Sequence, residues 1–536
     1  MKSSLFITVS AFALATAPAP ALAQMHMPGM TMPMPKAKAK PATKKAPPKK
    51  APAKKAGATK PVHPMKAAGR KAHPALKEGM TMPMDHGAVG TPQKAPSGSA
   101  MPMPMDHSQM QQGTMSMPSK PSAGQMTMPM DQHMGKSGAM PMGGMQHGQH
   151  AMAMTGALGP YPMERESSGT AWQPDSSEHR GLEVMSGNWM VMAHGALNLV
   201  YDHQSGPRGD DKAFASGMLM GMASRPIGNG TVQFKAMVSP DPTMGPSGYP
   251  LLLASGETAN GRDRLIDRQH PHDFFMELSG SVSQKIGQKS SVFVYAGLPG
   301  EPAFGPPAFM HREAILDSPE APITHHWLDS THISFGVVTA GMVLDRVKIE
   351  ASRFNGREPD QHRWNIETGP LDSTAVRISW NPTRTLALQG RWTHLVDPEQ
   401  LEPGVTQTRW SASALWAKEI QPGWKLAGTL AWGRKTAHGH NDDAFALEAS
   451  LKHAQWTFFG RGERIENREL SAQEDGPAYR VGKVSLGVVR DFRLADHLSV
   501  GAGSLFSVNF VPDQLAPLYG SHDPTGMMGF IRLKLE

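Results

Sequence analysis

Residues 180–536 alternate apolar and polar side chains with a period of two, the pattern of β-strands whose two faces meet different surroundings. In residues 424–432, one face carries Trp, Leu, Gly, Leu and Trp, and the other carries Lys, Ala, Thr and Ala. Eight residue steps of about 3.3 Å, tilted by about 40°, rise roughly 20 Å, which approaches the apolar band of a transmembrane barrel. In residues 456–463 the second face carries Thr457, Arg461 and Glu463, and such charge suits a water-filled lumen.

About sixteen runs of this kind follow one another along the chain. They lie near 188–202, 213–224, 230–239, 272–286, 290–297, 331–341, 344–354, 373–381, 384–395, 407–419, 423–434, 443–452, 454–465, 478–491, 496–510 and 526–535. Short connections follow the even-numbered runs and long connections, such as 240–271, 298–330 and 355–372, follow the odd-numbered ones. This alternation is typical of outer-membrane barrels, and an even count leaves both termini on the periplasmic side. We therefore predict an all-β fold, an antiparallel transmembrane β-barrel over 188–536, with a large soluble β-protein as the alternative.

Residues 24–154 contain no aromatic residue but hold 24 of the 39 methionines. Pro, Lys, Ala, Gly and Ser make up most of the rest, so this part of the chain cannot bury a core. It carries 17 Lys and Arg against 4 Asp and Glu, whereas residues 155–536 have a net charge of about −7. A basic segment without aromatics is a poor nucleic-acid surface, so we exclude nucleic acid as a partner. We predict a disordered tail over 24–160 and a linker over 161–187.

The first 23 residues have the features of a secretory signal peptide. Lys2 precedes an apolar stretch over 5–15, and Ala21-Leu22-Ala23 provides a small-residue cleavage site. The chain has no Cys, which an exported protein does not require. Within the tail, the Lys/Ala/Pro tract over 35–79 favours extended chain and is interpreted as a spacer, with contact to an anionic surface as the alternative.

The methionines of the tail recur as Met-x-Met pairs next to His. We predict that these repeats bind metal through Met25, His26, Met27, Met82, Met84, His86, Met103, Met105, His107, Met128, Met130, His133, Met145, His147 and His150. In extended chain, the two side chains of a Met-x-Met pair lie on the same side. Thioether sulfur suits Cu(I), with Ag(I) as its analogue, and imidazole also holds Cu(II). Many weak sites on one tether retain a released ion. The alternatives are compositional drift or a tail that scavenges oxidants.

Three further groups of side chains lie in or near the predicted barrel. His270, His272 and Asp273 lie at the entry to the fourth predicted run, and His325 and His326 lie in the long connection before the sixth. All five are candidate metal ligands, with structural anchoring of the loops as the alternative. The loop cluster at 438–443 combines His438 and His440 with two Asp residues and is a weaker candidate of the same kind. Period two places all three methionines of Met218–Met222 on one face; we interpret them as packing toward lipid, with a thioether row in the lumen as the alternative.

No catalytic constellation is evident. The sequence contains no Gly-x-Ser-x-Gly, no His-Glu-x-x-His and no phosphate-cradling glycine loop, so we expect no enzymatic activity.

The tail string at 103–111, Met-Pro-Met-Asp-His-Ser-Gln-Met-Gln, resembles the Met-Asp-His-Ser-x-Met repeats of the bacterial copper resistance protein B family. That family pairs a Met/His-rich periplasmic segment with an outer-membrane barrel, and the order of parts is the same here. The barrel strings 267–278 and 354–360 are more similar to a poorly characterised group of outer-membrane proteins associated with heavy-metal resistance. The resemblance implies copper tolerance, by sequestration or by export across the outer membrane.

We therefore expect an outer-membrane protein whose partners are copper ions, outer-membrane lipid, and periplasmic copper carriers or oxidases. Copper is its expected bound ion, and none is expected to be catalytic. The alternative is a porin for small polar solutes, whose tail is only a tether or an oxidant sink.

Overall fold

Sixteen antiparallel strands close on themselves in the computed structural model, which describes residues 155–178, 181–471 and 476–536. The strands are β1 (Leu182–Ser186), β2 (Trp189–Gln204), β3 (Asp211–Ile227), β4 (Gly230–Val238), β5 (Tyr249–Thr258), β6 (Arg264–Gln269), β7 (Phe275–Gly287), β8 (Ser290–Gly297), β9 (Val337–Leu344), β10 (Val347–Phe354), β11 (Ser373–Thr383), β12 (Leu386–Val396), β13 (Thr406–Gln421), β14 (Trp424–Ala437), β15 (His440–His453), β16 (Trp456–Asn467), β17 (Tyr479–Ala495), β18 (Leu498–Phe510) and β19 (Thr525–Leu535). All except β1, β5 and β6 form the barrel, and β19 closes it by pairing with β2. The predicted all-β barrel is confirmed. The signal peptide and the tail candidates from Met25 to His150 lie outside the described residues.

The two faces of the barrel wall differ as the alternation predicted. Leu430, Leu447 and Leu486 point outward and are 54%, 54% and 66% exposed. Arg409 and Lys483 point inward and are fully buried. A soluble barrel has the opposite arrangement, with apolar side chains inside, so this wall is built to meet an apolar surrounding on its outer side.

Seven connections at one end of the barrel are two-residue turns, at 228–229, 288–289, 345–346, 384–385, 422–423, 454–455 and 496–497. The longest connections, over 239–274, 298–336 and 355–372, lie at the other end. The predicted long loop after residue 434 is wrong, because β14 and β15 extend further and meet at a two-residue turn, 438–439.

Three segments fill the lumen. The hairpin β5–β6 and the plug loop (residues 298–336) come from the long connections; the plug loop contains α1 (His325–Leu328) and 3-10 turns at Phe309–His311 and Ser330–His332. The third segment, the N-terminal plug (residues 155–178), includes a 3-10 turn at Met163–Arg165. Two further short helical segments, Asp241–Met244 and α2 (Ala516–Tyr519), lie in loops. Within the described parts of the chain, no helix has the length and apolar composition needed to span a bilayer.

The N-terminal plug occupies much of the stretch for which the sequence predicts a linker. Trp172 is 1% exposed and packs edge-on against Tyr161, with ring centroids 5.1 Å apart. Arg165 donates to the backbone oxygen of Asp345 at 3.1 Å, and Ser176 donates to that of Ala417 at 2.7 Å. Both partners lie near the two-residue turns, so this plug sits at that end of the lumen.

Candidate functional site

Five buried imidazoles meet inside the barrel and are called here the histidine cluster: His270, His272, His325, His326 and His332. The first two follow β6, the next two form the start of α1, and the last lies in the 3-10 turn behind it. Ring centroids are 5.5 Å apart for His270 and His326, 5.1 Å for His272 and His332, and 5.3 Å for His325 and His332. The structure therefore brings four of the predicted loop ligands together and adds His332.

Three members of the histidine cluster are oriented through Nδ1. His272 Nδ1 lies 2.8 Å from Asp241 Oδ2, and His325 Nδ1 lies 2.8 Å from Asp329 Oδ1. His332 Nδ1 lies 2.8 Å from the backbone oxygen of Asp329. Since these partners accept hydrogen bonds, Nδ1 donates and Nε2 keeps its lone pair. The three Nε2 atoms are buried, with no hydrogen-bond partner in the described residues. Burial lowers the pKa of His325 and of His332, which keeps both rings neutral.

The other two imidazoles face carboxylates. His270 Nε2 lies 3.1 Å from Glu257, and burial lowers the pKa of His270. His326 Nδ1 lies 3.2 Å from Glu358. Burial opposes the charged form of His326, but the Glu358 carboxylate outweighs it and raises the pKa. The first contact lies within the connection 239–274, and the second ties the plug loop to the connection 355–372, as the anchoring alternative expects.

Asp273 is held by an ion pair. Its carboxylate lies 3.3 Å from Arg363, and burial raises its pKa to about 6. Across residues 155–178, 181–471 and 476–536, no group of three or more His, Asp or Glu side chains is arranged to hold a metal ion. Metal binding at His270, His272, Asp273, His325 and His326 therefore stays a prediction.

Methionines form a second feature of the lumen. The methionine wall consists of Met192 on β2 and Met218, Met220 and Met222 on β3, all lining one cavity. The expectation that Met218–Met222 faces lipid is wrong: Met220 and Met222 are 5% and 7% exposed, whereas Leu219, between Met218 and Met220, points outward at 53%. Methionine fits lipid and lumen equally, so its own chemistry does not decide the face. Ser216 and Ser224 have the same parity and mark the lumen side, a signal present in the sequence.

The cavity beside the methionine wall has a volume of about 210 Å³. Its opposite side is lined by Met163 of the N-terminal plug and by Met310 and His311 of the plug loop, and His270 and His272 extend it to the histidine cluster. Met192, Met220 and Met222 belong to one buried apolar cluster with Met163, and Met310 packs against that cluster.

Charged side chains of the wall hold the plug loop. Arg312 pairs with Asp329 and with Glu448 of β15, and each of these side chains is 1% exposed or less. Glu320 pairs with Arg461 at 3.2 Å and also contacts Lys483. The plug loop is thus fixed by buried ion pairs to three neighbouring strands of the wall, β15, β16 and β17.

The side chains of the weaker candidate at 438–443 form ion pairs, and metal binding there stays a prediction. Asp442 pairs with Arg468 at 3.0 Å, and Asp443 pairs with Arg434 at 2.8 Å. His438 lies 3.0 Å from Glu402.

The sequence matches no protein-family profile and no curated protein. Solved outer-membrane proteins are similar in fold. A loop-deletion mutant of OmpT, an outer membrane protein of Vibrio cholerae, is 10% identical with a TM-score of 0.39, and the match covers 64% of this chain and 99% of that one. The anion-selective porin from Comamonas acidovorans is 12% identical with a TM-score of 0.37, covering 65% and 100%. OmpF of Salmonella typhi in complex with daunomycin is 10% identical with a TM-score of 0.42, covering 66% and 100%. The barrel assignment depends on the strand pairing of this chain itself.

Proposed function

We propose that this protein lies in the bacterial outer membrane and binds copper, or silver as its analogue, through its methionine-rich tail. The outward leucines and the Trp residues toward the strand ends suit a bilayer with its interfacial aromatic girdles. The observation that carries the metal assignment is that 24 methionines occupy a segment without aromatics, so core packing does not explain them. The similarity to copper resistance protein B repeats supports the same assignment.

The position of the N-terminal plug supports a periplasmic location for the tail. Residue 155 enters the N-terminal plug near the two-residue turns, and in outer-membrane barrels short turns face the periplasm. We infer that the tail gathers ions in the periplasm, next to that end of the barrel. Because buried ion pairs fix the plug loop inside the lumen, sequestration or gated export fits better than free diffusion.

Metal titration of the purified full chain tests this function. In the test variant, Met82, Met84, Met103, Met105, Met128 and Met130 are replaced by Leu, which conserves volume and removes sulfur. We expect the full chain to bind more Cu(I) than Zn(II), the variant to lose much of the Cu(I), and cells producing the variant to tolerate less copper. If the full chain shows no preference for Cu(I) over Zn(II), the proposal is refuted.

A porin for small polar solutes is the second candidate, and the charged lumen wall favours it. Arg377, Arg409 and Lys483 point inward and give the lumen wall charge of the kind that ion-selective channels use, and the segments inside the lumen bury them. Conductance in planar bilayers separates the two functions. An open channel in the full chain, together with copper tolerance that does not depend on the tail, would favour the porin.

A further inference from the structure

The methionine wall repeats the spacing of the tail on a rigid support. Met218, Met220 and Met222 are two residues apart on β3, so their side chains enter the lumen on one face, as in a Met-x-Met pair of extended chain. On the neighbouring strand, Met192 lies opposite Met222 and His194 lies opposite Met220. Side chains of opposite residues have Cβ atoms about 4.5–5.5 Å apart, so these thioether and imidazole groups are direct neighbours.

The plugs bring matching groups to the other side of the cavity. Met163 and Met310 supply two more thioethers, and the His311 ring lies 6.3 Å from that of His194. His272, 7% exposed, also lines the cavity. The Nε2 atoms of His272 and His311 are buried and lack a hydrogen-bond partner among the described residues. A buried ring nitrogen without a partner is unfavourable unless a ligand uses it.

The thioether and imidazole groups around the cavity favour soft metal ions. Thioether and neutral imidazole are soft or borderline ligands, whereas Mg²⁺ and Ca²⁺ need oxygen ligands. Lys235 lines the same cavity, 8% exposed, and donates to the backbone oxygen of Gly169 at 2.9 Å. Its positive charge disfavours a divalent ion more than a monovalent one.

The cavity also has an acidic side. Glu178, Glu313 and Glu536 line it, and Glu178 is bonded to Lys425 and Lys452 near the two-residue turns. These lysines offset the charge of Glu178, so this side of the cavity carries no strong negative field.

We propose that the methionine wall, together with the facing imidazoles of His272 and His311, forms a binding site for one soft monovalent cation, Cu(I) or Ag(I), inside the barrel. This inference rests on the proposed function for the identity of the ion. It adds to that function a second binding site, which lies in the folded barrel and is separate from the tail. Packing alone does not account for the arrangement, because an open cavity and two unpartnered imidazole nitrogens add nothing to packing.

Silver binding to the full chain tests the site, with Ag(I) as a probe that needs no reductant. In crystals of the full chain soaked with Ag(I), we expect an anomalous scattering peak between the methionine wall and Met310. In solution, the wall variant Met192→Leu/Met220→Leu/Met222→Leu should lose about one tightly bound Ag(I) per chain, since three of the four thioethers of the wall are removed while side-chain volume is conserved.

A matched variant controls for the loss of methionine as such. Met185 of β1, Met342 of β9 and Met527 of β19 are 66%, 37% and 50% exposed, and their replacement by Leu should leave Ag(I) binding unchanged. Retained heat-dependent gel mobility shows that each variant still folds. Absence of a silver peak in the lumen of the full chain, or equal Ag(I) binding by the folded wall variant, would overturn the site.

The tail variant described above separates the two proposals. If the tail variant binds as much metal as the full chain while the wall variant loses its ion, the tail function fails and the lumen site stands. If only the tail variant loses metal, the lumen site is refuted and the tail function stands.

Discussion

Arg312 and Glu448 form a bidentate hydrogen-bonded ion pair between the plug loop and the barrel wall: Arg312 Nε donates to Oε2 at 2.7 Å, and Nη2 donates to Oε1 at 2.6 Å. Arg312 belongs to the plug loop and Glu448 to β15, and each is 1% exposed or less. The barrel wall and its plug are therefore joined by charges that solvent cannot screen.

Removing one partner of this pair should loosen the plug. Glu448→Ala leaves the Arg312 guanidinium with Asp329 as its remaining carboxylate, and breaking a buried pair costs about 3–5 kcal/mol. We expect earlier unfolding in urea, followed by tryptophan fluorescence in detergent micelles, and higher conductance in planar bilayers. Asp496→Ala, which breaks the exposed pair with Arg493, is the control and should change neither quantity. An unchanged urea midpoint for Glu448→Ala would refute the anchoring role.

Glu301 of the plug loop should make stability depend on pH. Burial raises the pKa of its carboxyl from 4.5 to about 8, although Arg377 opposes the shift. The folded protein therefore binds a proton between these values that the unfolded chain releases, so the stabilisation is complete below about 4.5 and is lost as pH rises through about 8. Thermal unfolding measured from pH 5 to pH 9 should show this decline. Glu301→Gln should flatten it, whereas Asp513→Asn, at a side chain 97% exposed, should leave it unchanged.

Gly256 of β5 lies against the histidine cluster and admits no side chain. Its φ is +114°, and a Cβ there would lie 2.7 Å from His326 Cε1. Gly256→Ala combines backbone strain, of about 1–3 kcal/mol, with displacement of the His326 ring. We expect a lower thermal midpoint and faster proteolysis in the plug loop. Gly390→Ala is matched to it, since no atom lies within 4 Å of the added Cβ, and it should be neutral. Equal effects of the two substitutions would contradict the predicted contact.

The outward leucines test the membrane assignment. Leu430 lies near the middle of β14 and is 54% exposed, and an arginine at the bilayer midplane of a barrel costs about 2–4 kcal/mol. Leu430→Arg should reduce folding into lipid vesicles, measured by gel mobility. Ile420→Arg, next to the turn at 422–423, places the same charge near the interface, where the cost is about 0–1 kcal/mol. Similar losses for both variants would argue against a bilayer around the barrel.

The barrel strands are predictable from sequence because each one separates two unlike surroundings. Leu430 meets the outside and Thr429 the lumen, so polarity alternates and the strand is evident in the sequence. The hairpin β5–β6 lies inside the lumen, so its two faces do not meet unlike surroundings. Leu251, Leu252 and Leu253 are consecutive and all fully buried, so their burial leaves no period of two.

The histidine cluster and the methionine wall are only partly predictable from sequence, because their geometry depends on loop conformation and on strand parity. His270, His272, His325 and His326 are conspicuous as residue types, and their meeting follows once the loops fold inward. That Asp241 and Asp329 orient three of these rings depends on loop geometry that sequence spacing does not encode. Whether the methionines of β3 face the lumen or lipid depends on which alternate positions of the strand point inward. Ser216 and Ser224, which share those positions, indicate this more clearly than the methionines do.

The N-terminal plug imposes an order on assembly. It precedes every barrel strand in the chain, yet Arg165 and Ser176 bond to residues 180 and 241 positions later. Such long-range contacts form only after β9, β10 and β13 have paired, so the segment synthesised before the barrel docks after most of it has formed. Burial of Trp172 thus reports that most of the wall has formed, and a barrel that stops earlier keeps this aromatic segment exposed and recognisable to quality-control factors.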